Sequence, residues 1–353
     1  MTTTTTTTMQ QKAAMSCERC DARLERGDLR CAVCALAVPV DDAVVETESL
    51  KVFRCNGCGA ATSWSAEKKA LACAFCGGGV ALEEIEDPME QTDRWVPFAV
   101  DAAKAKAALT KWQRSLGFFR PSDLAKMSTV DALKPLWWPA WIFDARARAT
   151  WAADSDAGSG RSSWAPHAGD AELSFERLLV GASRGLSHDE MNGLADAYDI
   201  GPALPERAGG YGSRAPDDVV EETFDTQRSA AREKVAAACH AVAQERIEKG
   251  HIPGHRFRNV HVSLVLSDLI TRRVALPAWI LAYKYKGTLY RVVVHGQSDA
   301  RVLGKAPWSL WKIAGAVAAG LAVLAIVATI VVVTQRPHRT SPRATPAPAA
   351  LHR

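Results

Sequence analysis

Eight of the nine cysteines of this 353-residue chain stand in four Cys-x-x-Cys pairs near the N-terminus. One pair lets two sulfurs face one ion, and two pairs supply the four thiolates that zinc takes in a closed tetrahedral site. We therefore predict two zinc ions, one per module, with no coordination position left for a substrate. The predicted ligands are Cys17, Cys20, Cys31 and Cys34 in the first module, and Cys55, Cys58, Cys73 and Cys76 in the second.

The two modules differ in their turns. In the second, a zinc ribbon over residues 51–80, Gly59 and Gly77 directly follow the cysteine pairs, where a tight turn favours positive φ. The first module, residues 15–36, has no glycine at these positions. Iron accepts the same four thiolates, and ligation crossed between the modules is a further alternative. A redox dithiol fits four tandem pairs less well.

The N-terminal residues indicate the compartment. Residues 1–14 are rich in threonine, typical of a disordered tail, and lack the apolar segment of a secretory signal. We therefore expect a reducing compartment.

The charge is distributed unevenly along the chain. Residues 1–90 contain 9 basic and 14 acidic side chains, and residues 37–50 within them form an acidic connector. Residues 301–353 contain 7 basic side chains and no acidic one. The net charge of +4 thus does not indicate a general nucleic-acid-binding surface.

The sequence patterns of residues 95–300 predict a mixed α+β domain, either a single unit or two related halves. One helix begins at the N-cap Asp101, and a second begins at the capping box formed by Ser187 and Glu190. A third, longer helix is predicted over 226–249. The overall fold class is therefore α+β, with two small zinc ribbons in front of this domain.

The same domain contains strand patterns. A strand is predicted over 136–151, and a hairpin has Lys286-Gly287 as its turn. The tetrapeptide Pro-Ala-Trp-Ile occurs in both regions, beginning at Pro139 and at Pro277. Because proline cannot donate a ladder hydrogen bond, this repeat favours two edge strands, each entered through its proline.

Motifs of catalysis are missing from the sequence. No P-loop, dinucleotide fingerprint, His-Glu-x-x-His or Gly-x-Ser-x-Gly motif occurs. The ninth cysteine, Cys239, lies in the third predicted helix and fits a small buried core residue. We therefore expect neither an enzyme nor a small-molecule substrate.

Residues 313–333 carry no charged side chain. At about 1.5 Å per residue this stretch crosses a hydrocarbon core of roughly 30 Å, and Trp308 and Trp311 precede it at the interfacial level. We predict one transmembrane helix with flanks over 308–334 and a disordered basic tail over 335–353. Reduced thiolates place the N-terminal bulk in the cytoplasm, at the inner or cell membrane.

Four short segments follow one another in a distinctive order. They are Phe53 to Gly59, Val96 to Val100, Leu276 to Gly287, and His295-Gly296-Gln297 before Trp308. This order resembles a family of bacterial zinc-ribbon membrane proteins of unknown function. Such sequences are often labelled after the zinc region of the primosomal replication factor Y helicase, and this chain lacks that helicase's motor motifs. The resemblance covers roughly residues 50–333 and implies no known substrate.

Two functions follow from the sequence. The first is a membrane-anchored zinc-ribbon scaffold that recruits a protein partner at the cytosolic membrane face. The alternative is a membrane-tethered protein that binds nucleic acid through the second ribbon, where Lys68 and Lys69 are basic and Phe53 and Trp64 are aromatic. The acidic segments on both sides of this ribbon favour the first function.

Overall fold

The computed structural model describes most of the chain. The described residues are 15–25, 27–39, 49–63, 72–86, 90–122, 133–157, 164–205, 216 and 219–334. The tails predicted over 1–14 and 335–353, most of the connector, and Trp64, Lys68 and Lys69 lie outside them.

The second module contains a three-stranded antiparallel sheet. Its strands are β1 (Ser49–Cys55), β2 (Ala61–Ser63) and β3 (Val80–Glu86), in the order β2-β1-β3. The sheet therefore extends beyond the predicted limits of 51–80 at both ends.

The remaining elements form the domain and the C-terminal helix. In chain order they are β4 (Arg94–Trp95), α1 (Ala102–Ser115), β5 (Lys134–Ser155), β6 (Ala165–Gly181), α2 (His188–Ala195), β7 (Leu204–Pro205), β8 (Val220–Glu221), α3 (Arg228–Gly250), β9 (Phe257–Tyr285), β10 (Thr288–His295), β11 (Val302–Gly304) and α4 (Leu310–Thr334). The mixed α+β class predicted from the sequence is confirmed.

Strand β5 organises the large sheet. It pairs antiparallel with β6 on one edge and with β9 on the other, and β9 continues into β10 and β11. Its residues 135–143 are buried without interruption, whereas from Asp144 to Ser155 mainly every second residue is buried. The first half of β5 therefore lies between two layers, and the second half has one face covered.

Helix α3 covers that one face. Its buried residues recur every fourth position, which aligns them along one side of a helix. They are Ala231, Val235, Cys239, Ala243 and Ile247. They share a hydrophobic cluster with alanines of β5 such as Ala145, Ala147 and Ala149, whose small side chains let the helix approach the sheet. The prediction that Cys239 is a buried core residue is confirmed.

The interpretation of the repeated Pro-Ala-Trp-Ile as two edge-strand entries is wrong. Pro139 pairs with Ala275 and Pro277 pairs with Trp137, so the repeats lie in the two central strands. Both prolines still use their carbonyls: Pro139 O accepts from Ala182 N, and Pro277 O accepts from Gly296 N, each at 2.9 Å. Each proline lacks the backbone N–H that other residues donate, but its carbonyl is still hydrogen-bonded. Only one backbone hydrogen bond is therefore missing at each site, which a central strand tolerates here.

Local signals placed two helix starts and one hairpin turn correctly. Asp101 caps α1 by accepting from Lys104 N at 2.8 Å, and the capping box at Ser187 is present in α2. Lys286 and Gly287 have φ values of 49° and 83°, as a type I′ hairpin turn requires.

Helix α4 leaves the domain as a separate rod. Its stretch Leu310–Val331 is long and apolar enough to cross a membrane, and none of it is buried within the described structure. It is therefore not a core helix of the domain.

Candidate metal centres and their attachment to the domain

Each of the four Cys-x-x-Cys pairs lies in a turn of the same shape. In the pair that begins at Cys55, the Cys55 amide donates to Ala60 O at 2.9 Å, and Gly59 N donates back to Cys55 O at 3.0 Å. The other three pairs repeat these two hydrogen bonds. The residue after the second cysteine has positive φ in every case: 56° at Asp21, 57° at Ala35, 75° at Gly59 and 66° at Gly77.

The sulfurs of each module converge on one point. The four sulfurs of Cys17, Cys20, Cys31 and Cys34 lie within 4.8 Å of one another, and so do those of Cys55, Cys58, Cys73 and Cys76. The sulfurs are therefore grouped within each module and not between the modules. The closest pairs are 3.4 to 3.7 Å apart. A tetrahedron with zinc–sulfur bonds of about 2.3 Å has edges of about 3.8 Å, so both clusters fit zinc.

The protein environment prepares these sulfurs to carry charge. Amide hydrogen bonds from Arg19 and Cys20 lower the pKa of Cys17 to about 6. Burial opposes ionisation of Cys55, yet the amides of Cys58 and Gly57 outweigh it and lower the pKa of Cys55 to about 7. One thiolate in each cluster is thus favoured near neutral pH.

Cys58 and Cys73 of the second cluster resist ionisation until a cation is present. Burial raises the pKa of Cys58 to about 11. Burial also raises the pKa of Cys73, and the charges of Cys58 and Cys76 add to this shift. Four thiolates in one place repel each other, so the cluster needs a bound metal ion to be fully ionised.

The second module packs into the core of the domain. Cys55, Cys73 and the fully buried Phe75 belong to one hydrophobic cluster with Trp138 and Leu276 of the central strands. Gly185 lies against the ring of Phe75, and a Cβ at Gly185 would come closer than 3.0 Å to that ring. The module is therefore a built-in part of the domain.

Buried Glu222 connects the two parts. Its carboxylate accepts hydrogen bonds from Ser183 Oγ at 2.5 Å, Arg184 N at 3.0 Å and Gly185 N at 2.8 Å. The backbone of Glu222 forms an isolated antiparallel β-bridge with Thr62 of β2. Glu222 therefore fixes the loop that contacts Phe75 while its own backbone contacts the ribbon. Burial raises its pKa to about 7 despite these hydrogen bonds.

The first module is attached through charge. Asp28 is buried, and its Oδ1 accepts from Arg228 Nη1 at 3.1 Å and from Arg232 Nη1 at 2.7 Å, both at the start of α3. Glu25 ion-pairs with both arginines and accepts from Thr271 N of β9 at 3.0 Å. The loop between the cysteine pairs thus connects this cluster to α3 and β9.

The open side of the large sheet carries a charged groove of about 680 Å³. Arg272 ion-pairs with Asp144 inside it. Its charged lining consists of Arg94, Arg146, Arg177, Arg272, Asp144, Glu176, Asp199 and Asp268. Equal numbers of both signs leave the groove without a dominant charge.

His295, in the segment His295-Gly296-Gln297, has a structural position. It is buried, and its Nδ1 accepts from Gln297 N at 2.9 Å and Ser298 N at 3.1 Å. Burial lowers its pKa to about 4, so the ring is neutral at physiological pH. Its ring centroid lies 3.8 Å from that of Tyr198. His295 shapes a turn, and neither it nor Glu222 is among the groove's described lining residues.

Sequence patterns located all eight cysteines but missed the residues that attach the modules. Asp28, Gly185 and Glu222 carry no motif, since their partners lie far away in the chain. In the part of the chain that the structure describes, the fold and these centres define an α+β protein with two four-cysteine clusters compatible with zinc ribbons and one helix long and apolar enough to cross a membrane. No family model, curated protein or solved structure matches this chain.

Proposed function

We propose that this chain is a membrane-tethered scaffold, and that its second ribbon, stabilised by zinc, recruits a protein partner. The observation that carries the proposal is strand β3. Among the described residues it forms the outer edge of the ribbon sheet, and its residues 81–84 are exposed. An exposed edge strand offers backbone donors and acceptors to an added strand, and Glu83 and Glu84 suit a basic segment.

The charge pattern favours a protein partner over nucleic acid. Arg54 ion-pairs with Glu83, and Lys51 stands directly across from Glu84 in the sheet. Arg54 of β1 is thus paired with β3, and a phosphate backbone that approached this edge would meet the carboxylate of Glu84.

Zinc and the membrane complete the proposal. Four thiolates without a further ligand suit zinc as a structural ion, which would hold the ribbon folded against Phe75. Helix α4 would anchor the chain in the cell membrane, with the clusters on the reducing, cytoplasmic side. The resemblance to bacterial zinc-ribbon membrane proteins agrees with this arrangement.

Affinity capture of the full chain from membranes, with and without nuclease treatment, tests the proposal. We compare the wild type with Glu84→Lys and with the matched control Glu172→Lys. Both glutamates are exposed on strands and face a basic residue across the sheet, Lys51 and Arg148 respectively. We expect one protein to bind the wild type and the control but not Glu84→Lys. Binding that disappears on nuclease treatment supports the nucleic-acid alternative, and equal binding to all three forms excludes β3 as the docking strand.

A further inference from the structure

The loop 117–120 is bound to the first turn of α4, although nearly 200 residues separate them. Ser309 N donates to Phe119 O at 2.8 Å, and Lys312 Nζ donates to Arg120 O at 2.8 Å. Arg120 in turn donates to Pro307 O at 3.2 Å. Helix α4 is therefore held in a defined direction relative to the domain.

This junction exposes large aromatic side chains. Phe118 is 71% exposed, Trp308 59% and Trp311 87%. The guanidinium of Arg120 lies 3.8 Å from the Trp308 ring centroid, and Lys312 Nζ lies 5.0 Å from that of Phe118. Aromatic rings paired with cations beside an apolar helix are typical of the membrane–water interface.

Positive charge extends from the junction along α1. The described residues of 102–122 and 302–334 contain no acidic side chain. They contain seven cations, which are Lys104, Lys106, Lys111, Arg114, Arg120, Lys305 and Lys312. Lys111 and Arg114 are in the last turns of α1, directly before the loop. Such a cluster next to an apolar helix suits anionic lipid headgroups.

We propose that these residues form a lipid-binding face that seats the domain on the bilayer crossed by α4. The face consists of loop 117–120, the C-terminal part of α1, and 305–312. Phe118 and Phe119 enter the headgroup layer, and the cations contact anionic headgroups. The bilayer is the occupant because the face is continuous with the apolar surface of α4. The inference rests on the proposed membrane anchorage.

Site-specific photo-crosslinking in the full-length chain tests the face. A photoreactive phenylalanine analogue replaces Phe118, Val265 or Leu321, in vesicles of phosphatidylcholine with or without phosphatidylglycerol. Val265 is 63% exposed on β9 and serves as the exposed apolar control. Leu321, inside the apolar stretch of α4, reports membrane insertion itself. We expect lipid adducts at positions 118 and 321 and none at 265.

A second variant tests the charge. Lys111→Glu combined with Arg114→Glu is expected to reduce the lipid adducts at position 118 by about fivefold or more in phosphatidylglycerol vesicles, since each cation near an anionic surface contributes about 1 kcal/mol. Adducts at 321 must stay unchanged. Loss of lipid adducts at 321 overturns the membrane anchorage. Adducts at 321 without adducts at 118, or protein adducts at 118, overturn the lipid-binding face alone.

Discussion

Gly185 and Phe75 lie in direct contact, 110 positions apart in the chain, and no side chain fits between them. A Cβ at Gly185 would come closer than 3.0 Å to three atoms of the Phe75 ring. Phe75 is fully buried between the cysteines Cys73 and Cys76, so the ring has no room to move away. The packing of the second ribbon against the domain therefore depends on a glycine, Gly185, that lies outside the ribbon.

Gly185→Ala is expected to loosen the second ribbon from the domain. Overpacking of this kind destabilises by about 1 to 3 kcal/mol, so we expect faster proteolysis within the ribbon and a lower Tm. The matched control is Gly79→Ala, because a Cβ at Gly79 meets no atom within 4 Å and its φ is not positive. Equal effects of both substitutions would show that the contact with Phe75 does not hold the ribbon.

Glu222→Gln tests the buried carboxyl. Burial raises the pKa of Glu222 to about 7, and neighbouring Asp225, itself paired with Arg184, adds to this shift. The folded chain therefore keeps a proton that the unfolded chain releases near the ordinary value of 4.5. It follows that this group's stabilisation declines as pH rises from about 4.5 to about 7 and is constant above.

The glutamine variant lacks this titration. The difference in free energy of unfolding between the wild type and Glu222→Gln should therefore change by up to about 3 kcal/mol across that interval, in the direction of a less stable wild type at high pH. Urea unfolding at several pH values, with zinc in excess, measures it. Glu172→Gln, at an exposed strand position, is the control and should show no such trend. A pH-independent difference for Glu222→Gln contradicts the shifted pKa.

The sequence allowed the parts of the fold that depend on neighbouring residues to be predicted. Spacing alone identified the eight sulfurs, and the cap at Asp101 and the Lys286-Gly287 turn were equally local. The attachment of the modules was not predictable, since Asp28 meets Arg228 across 200 positions. The two prolines misled because edge preference reflects a missing donor, whereas the tertiary structure places both prolines in central strands and pairs their carbonyls with amides of Ala182 and Gly296.

Asp28→Asn is expected to detach the first module without removing its metal. The substitution removes the charge that pairs with Arg228 and Arg232, whose side chains are largely buried. Glu25 still faces both arginines, so we expect a loss of about 2 kcal/mol, below the usual cost of a broken buried pair. Limited proteolysis should release residues 15–36 with zinc still bound.

Asp170→Asn provides the control for this experiment. Asp170 pairs with Arg148 at 3.1 Å on the surface, where both side chains are more than half exposed. Exposed pairs contribute little, so this variant should digest like the wild type. Loss of zinc from the first module in Asp28→Asn would instead mean that Asp28 supports the cluster itself.

Ala35 and Gly77 occupy equivalent turn positions in the two modules and predict opposite effects of reciprocal substitutions. Both have positive φ, 57° and 66°, which costs an alanine about 1 kcal/mol and a glycine almost nothing. A Cβ at Gly77 meets no atom within 4 Å, so only the backbone conformation matters there. Ala35→Gly should therefore slow chelator-driven zinc release from the first module, and Gly77→Ala should accelerate it from the second, each about fivefold.

Gly250→Ala is the control for both substitutions. A Cβ at Gly250 meets no atom within 4 Å and its φ is not positive, so this variant should leave both release rates unchanged. Slower release after Gly77→Ala would show that strain in these turns does not limit metal retention.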